Sequence, residues 1–192
     1  MPEPFRKRVR AATIGHMVQL REVTVIAAPL ERVFDLARSI EVHLLDNIHF
    51  GEQATAGTRT GLHGMGEQVM WQARHFFVRQ TLVSLITAFD SPRYFQDTML
   101  RGAFRSMQHD HFFRKVQPAD DGSPRTEMTD EFRFAAPILE GGLLAEFFVL
   151  RRYMRNLLRE RNAVIKRVAE SDEWQQYLPS VPAHTETQGV TP

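Results

Sequence analysis

The sequence predicts one α+β domain in which an antiparallel sheet packs against a long C-terminal helix. From Glu67 to Ala136 apolar residues recur at every second position, which is the period of a strand with one buried face. Short connections separate these segments, and strands joined by short connections run antiparallel. After Gly141 and Gly142 one apolar stripe continues for about seven turns of helix. Such a helix needs a surface to cover its stripe, and the sheet is the large candidate.

The composition is that of a single globular domain. The chain has 192 residues, of which 43% are hydrophobic and 24% are charged. Residues 1–16 hold two prolines and a basic cluster before any periodic pattern, and we expect a flexible basic arm there. Residues 17–172 form the predicted domain, because no linker or repeat divides them. We expect a flexible tail over 173–192, whose last part is rich in Pro, Thr and Gly.

Charge and residue usage exclude several classes of function. A net charge of +1 provides no single-sign field of the kind that binds nucleic acid. The chain has no cysteine, which excludes disulfides, thiolate catalysis and cysteine-ligated zinc. No apolar run approaches the roughly 20 residues of a spanning helix, and no secretory signal is evident, so we expect a cytoplasmic protein without integral membrane association. The phosphate-binding glycine loops and the Gly-x-Ser-x-Gly elbow are also missing from the sequence.

Three elements and a loop are predicted before the main run of strands. Residues 17–27 are rich in valine and suit a first strand. Pro29 suits the first position of a helix, and apolar residues at helical spacing follow it at Leu30, Val33, Phe34 and Ala37. A second helix is predicted over 41–48, where we expect His43 to be exposed. The glycines and threonines of 50–66 indicate an irregular loop.

Five strands follow, and their apolar face is taken as the inward face. They are predicted over residues 67–77, 79–89, 94–101, 104–117 and 125–136. Thr129, Glu131 and Arg133 lie on the opposite face of the last strand, which supports this orientation. The inward face and the helix stripe supply the candidate ligand-binding residues: Trp71, His75, Asp97, Met99, His109, His111, Asp130, Phe132 and Met154.

Two histidines and two aspartates on this face carry the chemistry that the sequence offers. Burying an unpaired charge costs several kcal/mol, so these four residues should pair with one another or with a ligand. They are Asp97, His109, His111 and Asp130. A loop over 118–124 that closes the last two strands would bring Asp130 near His111.

The partner of Asp97 depends on the turn at Gly102. If Gly102 lies in a tight hairpin, Asp97 falls near Met107 and one step from His109. His75 is about three strands away, in another part of the predicted wall.

Three interpretations of this cluster remain open from the residues alone. The four side chains could be satisfied buried polar groups that fix strand register or hold the polar end of a ligand. They could form an acid–base pair, with His109 or His111 as general base held by Asp97 or Asp130. They could also bind a metal, because His-x-His on a strand places two imidazoles on one face. No further close ligand is evident, and we expect no metal and no cofactor.

The order of elements resembles the helix-grip fold of the SRPBCC superfamily, in which a curved antiparallel sheet wraps around a long C-terminal helix. That superfamily includes START domains, pollen-allergen proteins and polyketide cyclase/dehydrase-like proteins. The stretches that carry the resemblance are residues 26–34, 66–76, 97–104, 109–113 and 128–130. The resemblance implies a cavity between the sheet and the last helix that accepts a hydrophobic ligand.

These observations predict a protein that binds or carries a small hydrophobic molecule, such as a lipid, a polyketide or an isoprenoid. The alternative is a cyclase- or dehydratase-like enzyme that acts on such a molecule. A third possibility is a structural or interaction module whose cavity is filled. The sequence does not specify the oligomeric state, and fold alone does not choose among these functions.

Overall fold

The computed structural model describes residues 17–46, 51–75, 78–135 and 144–179. Within these ranges the chain forms a seven-stranded sheet, two short helices and one long helix. The strands are β1 (Met17–Ile26), β2 (Gln53–Gly57), β3 (Gln68–His75), β4 (Val78–Asp90), β5 (Tyr94–Arg101), β6 (Ser106–Val116) and β7 (Arg125–Ala135). The helices are α1 (Leu30–Ala37), α2 (Ile40–Asp46) and α3 (Leu144–Glu170), followed by a 3-10 helix over Asp172–Gln176.

The sheet is antiparallel throughout, in the order β1-β7-β6-β5-β4-β3-β2. Strands β2 to β7 are neighbours in chain order, as expected for short connections. β1 pairs with β7, so the first strand forms one edge of the sheet, next to the last strand. This arrangement confirms the predicted meander and places the strand before α1 next to the strand before α3.

α3 lies across the inner face of the sheet with its apolar stripe inward. Leu150, Met154 and Leu158 pack against Leu20 of β1 and Phe132 of β7. Over the same turns, ion pairs from Arg155 and Arg159 to Glu22 also join the helix to β1. The predicted helix therefore has the expected partner surface.

A second apolar cluster fixes α1 against one end of the sheet. The ring of Phe34 makes edge-to-face contacts with Phe89, Phe95 and Phe113, at centroid separations of 5.4, 5.7 and 5.3 Å. Such aromatic pairs contribute about 0.5–1.5 kcal/mol each beyond the area they bury. α1 is thereby held where its last turn borders the space beneath α3.

Most predicted elements begin and end within two residues of their observed positions, but two expectations are wrong. Residues 53–57 form strand β2, where an irregular loop was expected. β2 carries no bulky apolar residue, and its pairing with β3 through a bulge between Ala54 and Ala56 defines it. Such a long-range partner is not visible in a local pattern.

The packed part of the chain also continues beyond residue 172, where a flexible tail was expected. Trp174, Tyr177 and Leu178 pack against the cluster around α1. The guanidinium of Arg32 lies 4.2 Å from the centre of the Trp174 ring, a cation–π contact that the sequence pattern could not show. In the described part of the chain, no helix combines the length and apolar composition that crossing a membrane requires.

Candidate functional site

A cavity of about 400 Å³ lies between the inner face of the sheet and α3. Ala37 and Ile40, at the ends of α1 and α2, border it on another side. Small-molecule sites usually have volumes of about 300–1,000 Å³, so the space can hold a small molecule. Much of its wall is apolar, including Trp71, Leu82, Phe104, Phe132, Met154 and Leu158.

The four predicted polar residues meet on one side of this cavity. Oδ1 of Asp130 lies 3.0 Å from His109 Nε2 and 2.7 Å from His111 Nδ1. Oδ2 of Asp97 lies 3.3 Å from His111 Nε2 and 3.9 Å from His109 Nδ1. Each imidazole therefore lies between the same two carboxylates.

Strand register explains this geometry and corrects one expectation. His111 is directly opposite Asp130 across β6 and β7, as the turn at 118–124 predicted. Asp97 is directly opposite His109 across β5 and β6, whereas a tight hairpin would have placed it near Met107. The connection is longer than that hairpin, because β5 ends at Arg101 and β6 begins at Ser106.

A side chain of α3 completes the cluster from the helix side of the sheet. Asn162 Nδ2 donates to Oδ2 of Asp130 at 2.7 Å and is 3.3 Å from Oγ1 of Thr24. The Asp130 carboxylate thus accepts hydrogen bonds on both oxygens and is 1% exposed. A buried carboxylate satisfied in this way avoids the large cost of an unpaired charge.

The cluster shifts the pKa values of its members in opposite directions. Burial raises the pKa of Asp97, but the His111 hydrogen bond and nearby positive charges outweigh it and lower that pKa to about 2. The same balance places the pKa of Asp130 far below its ordinary value. Burial lowers the pKa of His111, but the bonds to Asp130 and Asp97 outweigh it and raise that pKa. Burial and the neighbouring His111 lower the pKa of His109.

The cluster has a cavity side and a buried side. Asp97 and His109 line the cavity. His111 is 1% exposed and stacks on Phe95 at a centroid separation of 4.2 Å. Asp130 lies behind the two rings, so among the described residues only part of the cluster can contact a molecule in the cavity.

No protein-family model and no curated protein matches this sequence. Solved structures do match its fold. A START superfamily protein from Mycobacterium smegmatis superposes with a TM-score of 0.58 at 12% identity, covering 81% of this chain and 98% of its own. TTHA0849 from Thermus thermophilus gives 0.56 at 16% identity, covering 77% and 97%. Ara h 8.0201 gives 0.50 at 11% identity, covering 78% and 98%.

The chain has the START-like helix-grip fold of these structures. The antiparallel sheet with α3 across it is the architecture that the order of elements predicted. At identities of this level the likeness establishes the fold alone.

The remaining predicted site residues divide into three groups within the helix-grip fold. Trp71, Phe132 and Met154 line the cavity. Met99 packs at the edge of the apolar cluster beneath α3 and is not part of the cavity wall. The side chain of His75 lies outside the described residues.

Arg161 is a cavity-lining residue that the sequence interpretation did not select. Its Nη2 donates a 3.0 Å hydrogen bond to the carbonyl of Ala37. Its charge also helps to lower the pKa of Asp97. The signal was present in the sequence, since Arg161 interrupts an otherwise apolar stripe of α3.

Two further histidines belong to the wall of the helix-grip cavity. His63 is 6% exposed, and its Nε2 donates to the carbonyl of Glu67 at 2.9 Å. Burial lowers the pKa of His63, and in the neutral ring Nδ1 is left as an acceptor. His43, expected to be exposed, instead packs against Trp71 with the ring centroids 4.1 Å apart, and its Nε2 lies 3.4 Å from Oε2 of Glu52.

Proposed function

We propose that this protein binds a small, largely apolar molecule in the cavity between the sheet and α3. The polar end of that molecule would contact the wall formed by Asp97, His109 and Arg161. The observation that supports this proposal most directly is the cavity of about 400 Å³, whose mainly apolar wall is interrupted by these polar groups. Binding sites for small molecules commonly combine an apolar lining with a few orienting polar groups.

The apolar wall would supply most of the affinity. Trp71 and Phe132 contribute aromatic surface from the sheet, while Met154 and Leu158 contribute flexible aliphatic surface from α3. Burying apolar surface contributes about 25 cal/mol per Å². A ligand that buries roughly 300 Å² would gain about 7 kcal/mol before the costs of association.

The polar groups would select the orientation of the ligand. Arg161 lines the cavity, and its guanidinium carries further N–H donors besides the one that bonds the carbonyl of Ala37. An oxygen atom on the ligand could accept from this group, while a ligand hydroxyl could donate to Asp97 or to His63 Nδ1. A ligand with one oxygen-bearing end and an apolar body therefore suits the cavity.

The resemblance to START and pollen-allergen proteins supports the same proposal, because it implies a cavity that accepts hydrophobic ligands. Lipids, polyketides and isoprenoids are the classes that fit an apolar body with an oxygen-bearing end. Native mass spectrometry of the protein purified from its own host will measure the mass of any bound molecule. A mass of a few hundred daltons, lost on denaturation, is the expected result.

The location of the binding site is tested by filling the cavity. Ala73 lies on β3, lines the cavity and is 8% exposed. We expect Ala73→Trp to weaken binding of the fluorescent apolar probe N-phenylnaphthylamine by at least about tenfold, because the indole occupies the space of the probe. Ala163→Trp is the matched control, since Ala163 is exposed on α3. Equal binding by both variants would show that the probe binds elsewhere and would overturn the proposed site.

A further inference from the structure

Three electron-pair donors converge at the polar wall of the cavity. One ligand atom each from Asp97, His109 and His111 lies within 4.8 Å of the other two. The atoms that face one another are Asp97 Oδ2, His109 Nδ1 and His111 Nε2, at 3.9 and 3.3 Å from the oxygen to the two nitrogens. We call these three atoms the donor triad.

Asp130 determines which nitrogen of each ring carries a hydrogen. A carboxylate only accepts hydrogen bonds, so His109 Nε2 and His111 Nδ1 both donate to Oδ1 of Asp130, at 3.0 and 2.7 Å. In a neutral imidazole the second nitrogen then carries a lone pair. The two nitrogens of the donor triad are those second nitrogens. Without a metal, His111 Nε2 donates its proton to Asp97 Oδ2 at 3.3 Å, and a bound metal ion would replace that proton.

A metal ion in place of that proton would contact all three atoms of the donor triad. A proton on His111 Nε2 makes one hydrogen bond to Asp97, but His109 Nδ1 at 3.9 Å is too far to share it. Ligand atoms at about 2.0–2.2 Å from a tetrahedral metal ion lie about 3.3–3.6 Å apart. The observed separations of 3.3 and 3.9 Å fit that geometry after small side-chain shifts.

The surroundings of the donor triad are those of a supported metal site. Histidines that bind metals commonly donate their other N–H to a carboxylate, which fixes ring orientation. Here one carboxylate, Asp130, serves both rings and is itself held by Asn162. Asp97 and His109 line the cavity, so an open coordination position of a three-ligand site would face it.

We propose that Asp97, His109 and His111 bind a divalent transition-metal ion, with Asp130 orienting both imidazoles. Two imidazole nitrogens and one carboxylate oxygen suit ions such as Zn²⁺, Co²⁺ or Fe²⁺, whereas Mg²⁺ and Ca²⁺ prefer oxygen ligands. This proposal replaces the expectation of no metal drawn from the sequence. It does not depend on an apolar molecule in the cavity.

The test uses Co²⁺ as the probe, because its visible absorption reports coordination number. The full chain without an affinity tag is treated with a chelator, dialysed and titrated with CoCl₂. We expect saturation at one equivalent and the intense absorption of a four- or five-coordinate ion. Asp97→Asn and His111→Gln should each weaken binding by at least about 100-fold. His43→Gln is the matched control, because it removes another histidine beside a carboxylate in the same wall.

Two results would overturn the proposal. One is a folded wild-type protein that binds no Co²⁺, and the other is binding that survives in folded Asp97→Asn protein. If His111→Gln protein does not fold, X-ray absorption of the wild-type Co²⁺ complex decides, since two imidazole ligands are required. Binding of N-phenylnaphthylamine by metal-free protein is measured in parallel, so a failed metal site is distinguished from a failed apolar site.

Discussion

Asn162 of α3 donates a 2.7 Å hydrogen bond to the buried carboxylate of Asp130 in β7. This contact joins the long helix to the sheet at the point where both histidines bond the same carboxylate. It therefore fixes the position of α3 along the sheet as well as the rotamer of Asp130. The side-chain oxygen of Asn162 has no hydrogen-bond partner among the described residues, so the contribution of Asn162 to the cluster is as a donor.

Replacing Asn162 should lower the free energy of unfolding by more than the loss of a small side chain would. Asn162→Ala removes a hydrogen bond to a buried charged group, and we expect a loss of about 2 kcal/mol in the free energy of unfolding. Asn156→Ala is the control, because Asn156 is exposed on the same helix and should change stability by less than about 0.5 kcal/mol. Urea unfolding of both variants measures the difference. Equal stabilities would show that the Asn162 bond does not hold the helix.

The two tryptophans should respond differently to a bound molecule. The chain has two, and Trp71 lines the cavity while Trp174 packs against Arg32 outside it. A dibrominated stearate quenches tryptophan fluorescence at contact distance. We expect strong quenching in Trp174→Phe protein and little in Trp71→Phe protein. Quenching confined to Trp174 would place the bound molecule outside the cavity.

Tyr94 should make stability depend on pH in the alkaline range. Burial, together with the hydrogen bond and charge of Asp110, raises the pKa of Tyr94 to about 12, although Arg133 and Gln96 act in the opposite direction. Because the unfolded pKa is about 10, the stabilisation is fully present below pH 10. It is lost as the pH rises toward about 12, where the folded protein also releases the proton.

Tyr94→Phe protein provides the comparison for this effect. Its free energy of unfolding should fall less steeply between about pH 10 and 12 than that of the wild type. Burial also raises the pKa of Tyr153, so some decline should remain in the variant. Parallel profiles for the two proteins would mean that the Tyr94–Asp110 bond does not shift the titration of Tyr94.

The local sequence pattern predicted most of the fold, because buried and exposed residues alternate along the strands as apolar and polar residues do in the sequence. Val69, Trp71 and Ala73 are buried in β3, as the period of two indicated. The same reasoning missed β2, whose small residues carry no such alternation. It also missed the packing of Trp174, because one aromatic residue in a polar segment does not reveal its distant partner.

The residues of the site could be predicted to lie together only where a short connection fixed the register of two neighbouring strands. The pairing of His111 with Asp130 followed from the short connection between their strands. The position of Asp97 was wrong by one inward-facing residue, because the length of the turn at Gly102 sets the register and the sequence suggested a tighter one. The contribution of Asn162 required knowledge of the rotation of α3, which no pattern within the sheet provides.

The binding of an apolar molecule between the sheet and α3 is tested most directly by intermolecular NOEs to methionine methyl groups. Met107 of β6 and Met154 of α3 line the cavity from opposite sides, while Met17 and Met65 are 65% and 61% exposed. In protein labelled at methionine methyls and saturated with N-phenylnaphthylamine, we expect NOEs from the probe to both Met107 and Met154. NOEs to Met17 or Met65 alone would contradict binding in the cavity.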